Sequence, residues 1–455
     1  MDTEALQTGV SADVQQLAQV GIEPWPSRNR AIGTIVLLMA ALFMSTIDRS
    51  ILALLTDPIK HTLHLTDTQI GLVQGVAFGI FFMLMTFPAG WLADKHNRMR
   101  LVACGIALWS VMTALCGLCA SFAQLFLARM GVAIGEATLQ PVAPSIISDH
   151  FPPERRTLPM SLYLMGGGMG AGVTLITGAY VAHLIRHVDT VTVPSLGTFQ
   201  PWQIIFFVVG LPGLIVSVLF LSVREAPRRE QHLSHGSFDE LLQAVRARRS
   251  ILLPQFAGVG LYQIYAYGYS AWMPAYFGRV HGWTIVDIGL KYGVIQMTFP
   301  MAGAWIGGAL AQRLSRQGNR NFNLLAAAIC IGFMAVFGIL GTLPRSALAS
   351  ALLLGCTMTF TQAPGGPNAS AIQEIFPNML RARVTALYYA VVALVGMTSG
   401  PVIVGLMNDH LFTEKGGVGK SLSLTALLTL PAASMLVFVA ARRRLQFHWN
   451  PGDKT

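Results

Sequence analysis

Charged residues are scarce in this 455-residue chain, because Asp, Glu, Lys and Arg together make up only 11% of it. A typical soluble domain contains about 25%. Hydrophobic residues make up 53%, and the mean hydropathy is +0.55. A soluble core cannot bury that much apolar surface. The shortage of charge therefore excludes an ordinary soluble enzyme, a disordered chain and a coiled coil, and it predicts a polytopic membrane protein.

Cysteine is also sparse, with five residues that all lie in apolar runs. Cys116 and Cys119 form a C-x-x-C pair, but the surrounding sequence ALCGLCASF is apolar. We therefore predict packed thiols rather than a disulfide framework, a redox pair or a zinc site. The sequence also has no H-E-x-x-H motif, metal-ligand cluster or catalytic triad, so we predict no enzyme activity, no metal and no cofactor.

Long apolar runs are what the chain has in abundance, and twelve of them are long enough to span a membrane as helices. They are too continuous for the alternating pattern of a membrane β-barrel. We therefore predict an all-α polytopic membrane protein with twelve transmembrane helices. The predicted spans are 32–56, 69–92, 101–121, 123–148, 158–185, 202–223, 251–278, 286–311, 322–343, 346–375, 384–408 and 421–441.

The chain divides into two halves that resemble each other. The fourth span ends in PVAPSIISDHFPPERRT and the tenth in PGGPNASAIQEIFPNMLRARVT, and both contain P-x-x-P, then Phe-Pro, arginines and a Thr. A chain made of two six-helix halves that repeat each other in parallel is a transporter architecture, with the binding site between the two bundles. The predicted units are an N-terminal tail 1–31, an N-terminal bundle 32–223, a cytoplasmic linker 224–250, a C-terminal bundle 251–441 and a C-terminal tail 442–455.

Basic residues determine the predicted orientation. With the N-terminus inside, 22 of the 31 Lys and Arg residues fall in inner segments and six in outer loops. Cytoplasmic loops of membrane proteins collect Lys and Arg, so we predict that both termini are cytoplasmic. This topology explains the net charge of +10 without nucleic acid as a partner. The first 30 residues lack the features of a signal peptide. We expect the protein to be a monomer and to lie among the lipids of a bacterial inner membrane.

Four charged residues fall inside the first and fourth spans: Asp48, Arg49, Arg129 and Glu136. A charge at the bilayer centre costs roughly 2.5–3.5 kcal/mol or more, so such residues are functional candidates. We predict that Asp48 and Glu136 bind the coupling protons, with Arg49 and Arg129 as counter-ions and anion binders. We expect Asp48 to pair with an arginine and Glu136 to lack a full partner. The alternative is a buried ion cluster that only fixes helix register.

The loop GWLADKHNRMR between the second and third spans is a candidate gate. Gly90 would let two helices approach closely, while Asp94 and Arg98 could pair with a neighbouring helix end and separate on opening. Asp149 and Arg155, after the fourth span, complete the predicted gate. The alternative is a basic loop that only sets topology.

Spans seven and ten contain the candidates for lining a cavity. Tyr262, Gln263 and Tyr267 cluster in LYQIYAYGYS, where they could line a substrate path or serve as packing and interface residues. Gln362 and Asn368 flank two prolines and two glycines that interrupt the tenth span. A broken helix is tolerated where it is buried in protein or lines a cavity, although a simple kink is the alternative.

Three G-x-x-x-G pairs predict further close helix contacts, because glycine lets two backbones approach. These pairs are Gly75/Gly79, Gly131/Gly135 and Gly303/Gly307.

The gate loop resembles the signature G-x-x-x-D-x-x-G-R-[RK] of the major facilitator superfamily, with Asn97 in place of its second glycine. The sequence RMGVAIGE in the fourth span resembles a second motif of that family. The loop GGALAQRLSRQGNR looks like a degenerate copy of the first, with Gln312 where an acid is expected. More narrowly, the Asp48-Arg49 pair, the tripeptide GEA and the run DHFPPERRT resemble the spinster branch.

The resemblance implies an alternating-access carrier, and spinster-type proteins are implied to be proton-linked carriers of lysolipids or sphingoid phosphates. We predict a secondary transporter that moves a small amphiphilic or lysolipid-like anion with protons. The alternatives are an organic-acid or drug porter of the same superfamily, a non-transporting lipid-binding scaffold, and a channel. The direction of transport stays open, because the fifth span's GGGMGAGV lacks the proline of the antiporter motif.

Overall fold

The computed structural model describes residues 25–152, 155–184, 191–193, 197–228, 238–318, 321–376, 378–414 and 416–446. Most of both predicted tails lies outside these ranges. Helical segments occupy all twelve predicted span positions.

Six spans form the N-terminal bundle, and three of them are built from two helices each. The elements are α1 (Arg28–Leu54), α2 (Thr56–Leu63), α3 (Asp67–Gln74), α4 (Val76–Lys95), α5 (Arg98–Cys116), α6 (Phe122–Glu136), α7 (Leu139–His150), α8 (Thr157–Leu184), α9 (Pro201–Gly210) and α10 (Pro212–Ser222). A two-stranded antiparallel hairpin, β1 (Val191–Val193) and β2 (Gly197–Phe199), lies in the loop before α9.

The C-terminal bundle follows a short helix, α11 (Phe238–Ala247), which lies within the predicted linker. Two π-helical turns, Ile288–Tyr292 and Val392–Met397, join helices within the eighth and eleventh spans. The remaining elements are α12 (Arg249–His281), α13 (Ile285–Asp287), α14 (Gly293–Arg316), α15 (Phe322–Leu340), α16 (Ala347–Gln362), α17 (Gly365–Ile375), α18 (Asn378–Val391), α19 (Thr398–His410) and α20 (Gly417–Gln446).

In the described part of the chain, ten helical segments are long and apolar enough to cross a membrane, judged by length and composition. The seventh and tenth predicted spans are the two that fall outside this group. The seventh is the 33-residue helix α12, whose tyrosines and glutamines lower its hydropathy. The tenth is broken between α16 and α17. These two segments complete an arrangement consistent with the predicted twelve helices.

Proline explains where two of the spans break. Pro141 has no N–H to donate to the carbonyl of Ala137, and the fourth span breaks there, between α6 and α7. Pro364 and Pro367 remove two donors in the tenth span, which breaks at Ala363 and Pro364. The break in the fourth span places Glu136 at the last position of a helix.

The two bundles repeat each other in their hydrogen bonds. Arg156 donates from Nε to the carbonyl of Phe151 at 2.9 Å. In the other bundle, Arg381 donates from Nε to the carbonyl of Phe376, also at 2.9 Å. Each arginine lies five residues after its phenylalanine, so the repeat seen in the sequence extends to the same backbone contact in both halves.

The glycine pairs make the close contacts that the sequence predicts. Gly303 and Gly307 of α14 lie directly against the backbone carbonyls of Thr359 in α16 and of Ala363 just after it. Gly135 of α6 packs on α5, where an added Cβ would lie 2.6 Å from the carbonyl oxygen of Gly105. These contacts are too close for any side chain, so they fix the distances between the helices.

The bundles meet at one face of the molecule. We call the face where α1 begins and α20 ends the terminal face, and the other the opposite face. Near the opposite face, α3 packs on α19 and α8 packs on α14. An added Cβ at Gly71 of α3 would lie 2.6 Å from the carbonyl oxygen of Pro401. The bundles are therefore tightly closed at the opposite face.

The predicted role of Gly90 in close helix packing is not seen in this conformation. In the described part of the chain, no neighbouring atom lies within 4 Å of the place where a Cβ on Gly90 would be, and the same holds for Gly308 in α14. Both glycines lie in the terminal half of their helices, where the closure at the opposite face leaves the bundles apart.

We expect Gly307→Ala to lower the thermal stability of the protein, because the new methyl group would overlap the Ala363 carbonyl. Overpacking of this kind costs about 1–3 kcal/mol. Gly308→Ala is the matched control, since nothing lies within 4 Å of its added methyl group. Melting of the two variants in detergent, followed by size-exclusion chromatography, measures the difference. Equal melting temperatures would show that the α14–α16 contact is looser than described.

Candidate functional site

The four intramembrane charges lie together in the N-terminal bundle. Asp48 and Arg49 are on α1, and Arg129 and Glu136 are on α6. Asp48, Arg129 and Glu136 are 2%, 2% and 1% exposed. Arg49 is the exception, because 29% of its side chain is exposed.

Arg49 and Glu136 form an ion pair that joins α1 to α6. The Arg49 Nη2 atom lies 2.5 Å from Glu136 Oε2, and Arg49 Nε donates to the same oxygen at 2.8 Å. Ser45, one turn before Arg49, also donates to that oxygen at 2.6 Å. The other carboxylate oxygen, Oε1, is buried and has no hydrogen-bond partner. Glu136 thus has one fully occupied oxygen and one free oxygen.

The predicted pairing of these charges was wrong. We expected Asp48 to pair with an arginine and Glu136 to lack a full partner, whereas Glu136 pairs with Arg49. Among the described residues, Asp48 has no cation within 4 Å of its carboxylate. Arg129 reaches only the backbone carbonyl of Asp48, at 3.3 Å. The reason is the break after Glu136, which presents that carboxylate at a helix end beside α1.

An aromatic ring lies against both arginines, a contact that no pattern in the sequence indicates. The guanidinium carbons of Arg49 and Arg129 lie 4.7 Å and 5.2 Å from the ring centre of Phe78 on α4. Phe82, one turn further on, stacks on Phe78 and also lies under Arg49, at 5.3 Å. These rings hold the two cations in place without neutralising them.

A cavity of about 500 Å³ lies between the two bundles beside these arginines. Arg49, Arg129 and Phe78 line its N-terminal side. The C-terminal side contributes polar residues of α12, α14, α16 and α18 together with the π-helical turn before α14. Those polar residues are Tyr262, Gln263, Tyr267, Tyr269, Tyr292, Gln296, Gln362, Tyr388 and Tyr389.

Four of the five residues predicted to line a cavity do so: Tyr262, Gln263, Tyr267 and Gln362. Asn368 does not. It is fully buried in α17, where its Nδ2 atom donates to the carbonyl of Pro364 and its own carbonyl accepts from Gln255. Asn368 therefore joins the start of α17 to α12.

Arg49 and Arg129 are the charged residues among those that line the cavity. Asp48 and Glu136 lie behind its wall. The cavity surface is therefore positive on one side and neutral but polar on the other, which favours an anionic ligand.

Two of the predicted gate residues pair at the terminal face. Arg98 begins α5 and is 3% exposed. It lies 2.6 Å from Asp149 at the end of α7 and 2.6 Å from Glu225 after α10. Glu225 completes this cluster, and sequence reasoning missed it because it was assigned to the linker. All three residues belong to or adjoin the N-terminal bundle, so the cluster ties helix ends within one bundle.

The remaining gate candidates lie apart from this cluster. Asp94 and Arg155 are exposed. Arg228 donates to the carbonyls of Ala93 and Asp94 at the end of α4. Among the residues that the structure describes, no cation pairs with the Asp94 carboxylate, and the roles of both residues in gating stay predictions.

A second charge cluster, absent from our predictions, joins the bundles at the opposite face. Arg279 at the end of α12 lies 2.6 Å from Asp57 and 2.5 Å from Asp67, both in the N-terminal bundle. Lys60 also reaches Asp67, at 2.5 Å. From sequence these residues were only outer-loop charges, because nothing in the sequence indicates that the bundles approach at this point.

A carboxylate from one bundle also caps a helix of the other. Asp409, near the end of α19, accepts hydrogen bonds from the N–H groups of Asp67 at 3.1 Å and Thr68 at 2.7 Å. These are the first two residues of α3, whose N–H groups have no partner within their own helix. A negative charge is favoured at that helix end. The contact therefore exists only while the opposite face is closed.

Two helical bundles that are closed at one face around a positively charged cavity define a membrane transporter. The chain belongs to the Major Facilitator Superfamily, whose profile matches residues 38–401. The family and the fold thus confirm the transporter class and the architecture predicted from sequence.

The chain is similar to relatives of two kinds. It is 27% identical over 414 residues to an MFS-type efflux pump of Mycolicibacterium smegmatis, and the matched region covers 90% of each chain. It is 26% identical over 308 residues to the protein spinster of Drosophila melanogaster, and the matched region covers 64% of this chain and 48% of that protein.

The fold is similar to that of a solved bacterial homologue of the human lysosomal transporter Spinster, in an inward-facing and unoccupied conformation. The TM-score is 0.79 at 23% identity, covering 94% of this chain and 100% of the other. The sequence match to the Drosophila protein confirms the predicted resemblance to the spinster branch, and the solved structure shows the same fold.

We expect Arg279→Gln to open the opposite face, because it removes the cation shared by Asp57 and Asp67. The probe is a cysteine introduced at Gln74 in the cavity wall, as Gln74→Cys. The measurement is the rate at which an impermeant maleimide, added at the opposite face, labels this cysteine. We expect a severalfold faster rate. Lys291→Gln is the matched control, since it breaks an exposed pair within one span. Equal rates in both variants would contradict the closing role of the cluster.

Proposed function

We propose that this protein is a proton-coupled secondary transporter of a small amphiphilic anion, working by alternating access between its two bundles. The observation that carries the proposal is the position of Arg49. Its side chain is part of the cavity wall, yet it holds the carboxylate of Glu136, which is fully buried. One cation thus faces both the ligand site and a candidate proton acceptor.

This position provides a mechanism for coupling. An anion entering the cavity competes with Glu136 for Arg49. When Arg49 turns to the anion, the buried Glu136 carboxylate keeps Ser45 as a donor but loses its paired cation. An unpaired buried charge is costly, so a proton is favoured there. Protonation of Glu136 in turn releases Arg49 for the anion. Asp48 is the second proton acceptor, since it is buried beside the same arginines and has no direct ion pair among the described residues.

The cavity supports an amphiphilic anion as cargo. Its acidic group fits between Arg49 and Arg129, and its uncharged part fits the tyrosines and glutamines of the C-terminal bundle. Apolar residues such as Leu175, Met358 and Val392 also line the cavity, which suits an acyl or ring moiety. A lysolipid-like molecule fits this description, and a compact organic acid is the second candidate because glutamines offer hydrogen bonds to polar groups.

We propose a bacterial inner membrane as the location, with the terminal face in the cytoplasm. The support is the excess of Lys and Arg in the segments of that face. In this orientation the described conformation is closed to the outside.

We expect Glu136→Gln to abolish proton-driven transport while leaving anion exchange intact, since the amide cannot carry the proton and still leaves Arg49 able to bind an anion. Asp48→Asn should also abolish proton-driven transport. The measurement is uncoupler-sensitive transport of a fluorescent lysophospholipid, and separately of a dicarboxylate, in proteoliposomes. Asp287→Asn, at an exposed carboxylate, is the control. Full proton-driven transport by both variants would refute the assignment.

We expect Arg129→Gln to raise the KM for the anion by roughly 30-fold, because losing one member of a buried charge contact costs about 2 kcal/mol or more. Arg129→Lys should recover part of this loss. The same proteoliposome assay measures KM, and the cargo that gives saturable transport distinguishes the two candidates. An unchanged KM in Arg129→Gln would show that the anion does not reach this side of the cavity.

A further inference from the structure

A groove on the outer surface of the C-terminal bundle lies between α15 and α20. It has a volume of about 530 Å³ and is separate from the central cavity. Leu325, Gly332 and Ala335 form its α15 side, and Pro431, Met435 and Phe438 form its α20 side. The groove is apolar, and Met435 is 69% exposed, so this surface faces the membrane lipid.

Small residues make the groove deep, and the hydroxyl group that lines it is already hydrogen-bonded. Around a Cβ placed on Gly332, the nearest atom is Ser434 Oγ at 3.5 Å, so there is open space above the glycine. Ser434 donates to the carbonyl of Ala328 at 2.8 Å, which satisfies its hydroxyl. The groove floor therefore offers only van der Waals contact, as a hydrocarbon chain requires.

The groove leads to an arginine. Pro431, Met435, Phe438 and Arg442 are spaced by four, three and four residues, so they lie on one face of α20. The guanidinium carbon of Arg442 lies 5.0 Å from the ring centre of Phe438. From Pro431 to Arg442 the helix rises about 16 Å. That is about half of the hydrocarbon thickness of a bilayer, the depth reached by one acyl chain.

Arg442 lies where a lipid head group would be. Asn321, just before α15, donates to the carbonyl of Ala441, so α15 begins level with Arg442. The two neighbouring arginines are engaged, because Arg443 donates to the carbonyl of Ser250 and Arg444 pairs with Glu374 at 2.5 Å. Arg442 is exposed, and within the described residues no carboxylate lies within 4 Å of it. It is a free cation at the mouth of an apolar groove.

We infer that the groove and Arg442 form a binding site for an anionic phospholipid, with one acyl chain between α15 and α20 and the phosphate on Arg442. The apolar groove alone would accept the chain of any lipid. The positive charge of three successive arginines, of which one is paired with an acid, adds the preference for an anionic head group. The site is independent of the central cavity and of the transported anion.

The experiment titrates the full-length protein in detergent with phosphatidylglycerol or phosphatidylcholine and counts bound lipids by native mass spectrometry. We expect phosphatidylglycerol to bind the wild-type protein more tightly. Arg442→Gln should weaken its binding about fivefold, the effect of one cation near a phosphate. Gly332→Leu should block the groove and remove the tightest site for both lipids. Arg100→Gln, an exposed arginine at the same face of the other bundle, should change nothing.

Three results would overturn the inference. The first is equal affinity of the wild-type protein for the two lipids. The second is an equal effect of Arg442→Gln and Arg100→Gln. The third is a dimer of the wild-type protein that Gly332→Leu converts to a monomer, since the groove would then be a contact between two copies of the chain. Unchanged melting of Gly332→Leu in detergent verifies that the variant is folded.

Discussion

The ion pair between Arg49 and Glu136 is the interaction on which the rest of the site depends. A buried charge is costly unless it is paired, and Glu136 pairs with the cation that also faces the cavity. The pair joins α1 to the helix break in the fourth span. The arginine also donates to Ser45 and lies over the ring of Phe78. Any ligand that attracts Arg49 must therefore alter the charge balance inside the bundle.

The charges are distributed unequally between the two bundles, although the bundles share a common plan. Both halves bind an arginine to the carbonyl of a Phe-Pro corner. The N-terminal bundle keeps four ionisable residues near the midplane, whereas the C-terminal wall of the cavity is made of tyrosines and glutamines. One bundle thus carries the charged side chains of the site, and the other carries uncharged polar side chains.

Polar contacts at the two faces differ in whether they join helices within one bundle or join the two bundles. At the terminal face, Arg98 joins Asp149 and Glu225 within the N-terminal bundle. At the opposite face, Arg279 and Asp409 bind groups of the other bundle. Contacts within a bundle can persist as the bundles move, whereas contacts between them must break when the opposite face opens. The charges at the opposite face therefore set the stability of the closed state.

The sequence by itself determined the class of the protein, its twelve spans and the four intramembrane charges. Apolar length and the scarcity of charge can be read from the local sequence. A bundle of helices in a membrane is the fold that accommodates such long apolar runs. Only the tertiary structure decided that Glu136 rather than Asp48 holds Arg49 and that Asn368 is buried. It also decided that Glu225, Phe78 and Asp409 contact Arg98, Arg49 and the start of α3. Those outcomes depend on which helix ends meet in space, and residues far apart in sequence carry no local pattern that records such a meeting.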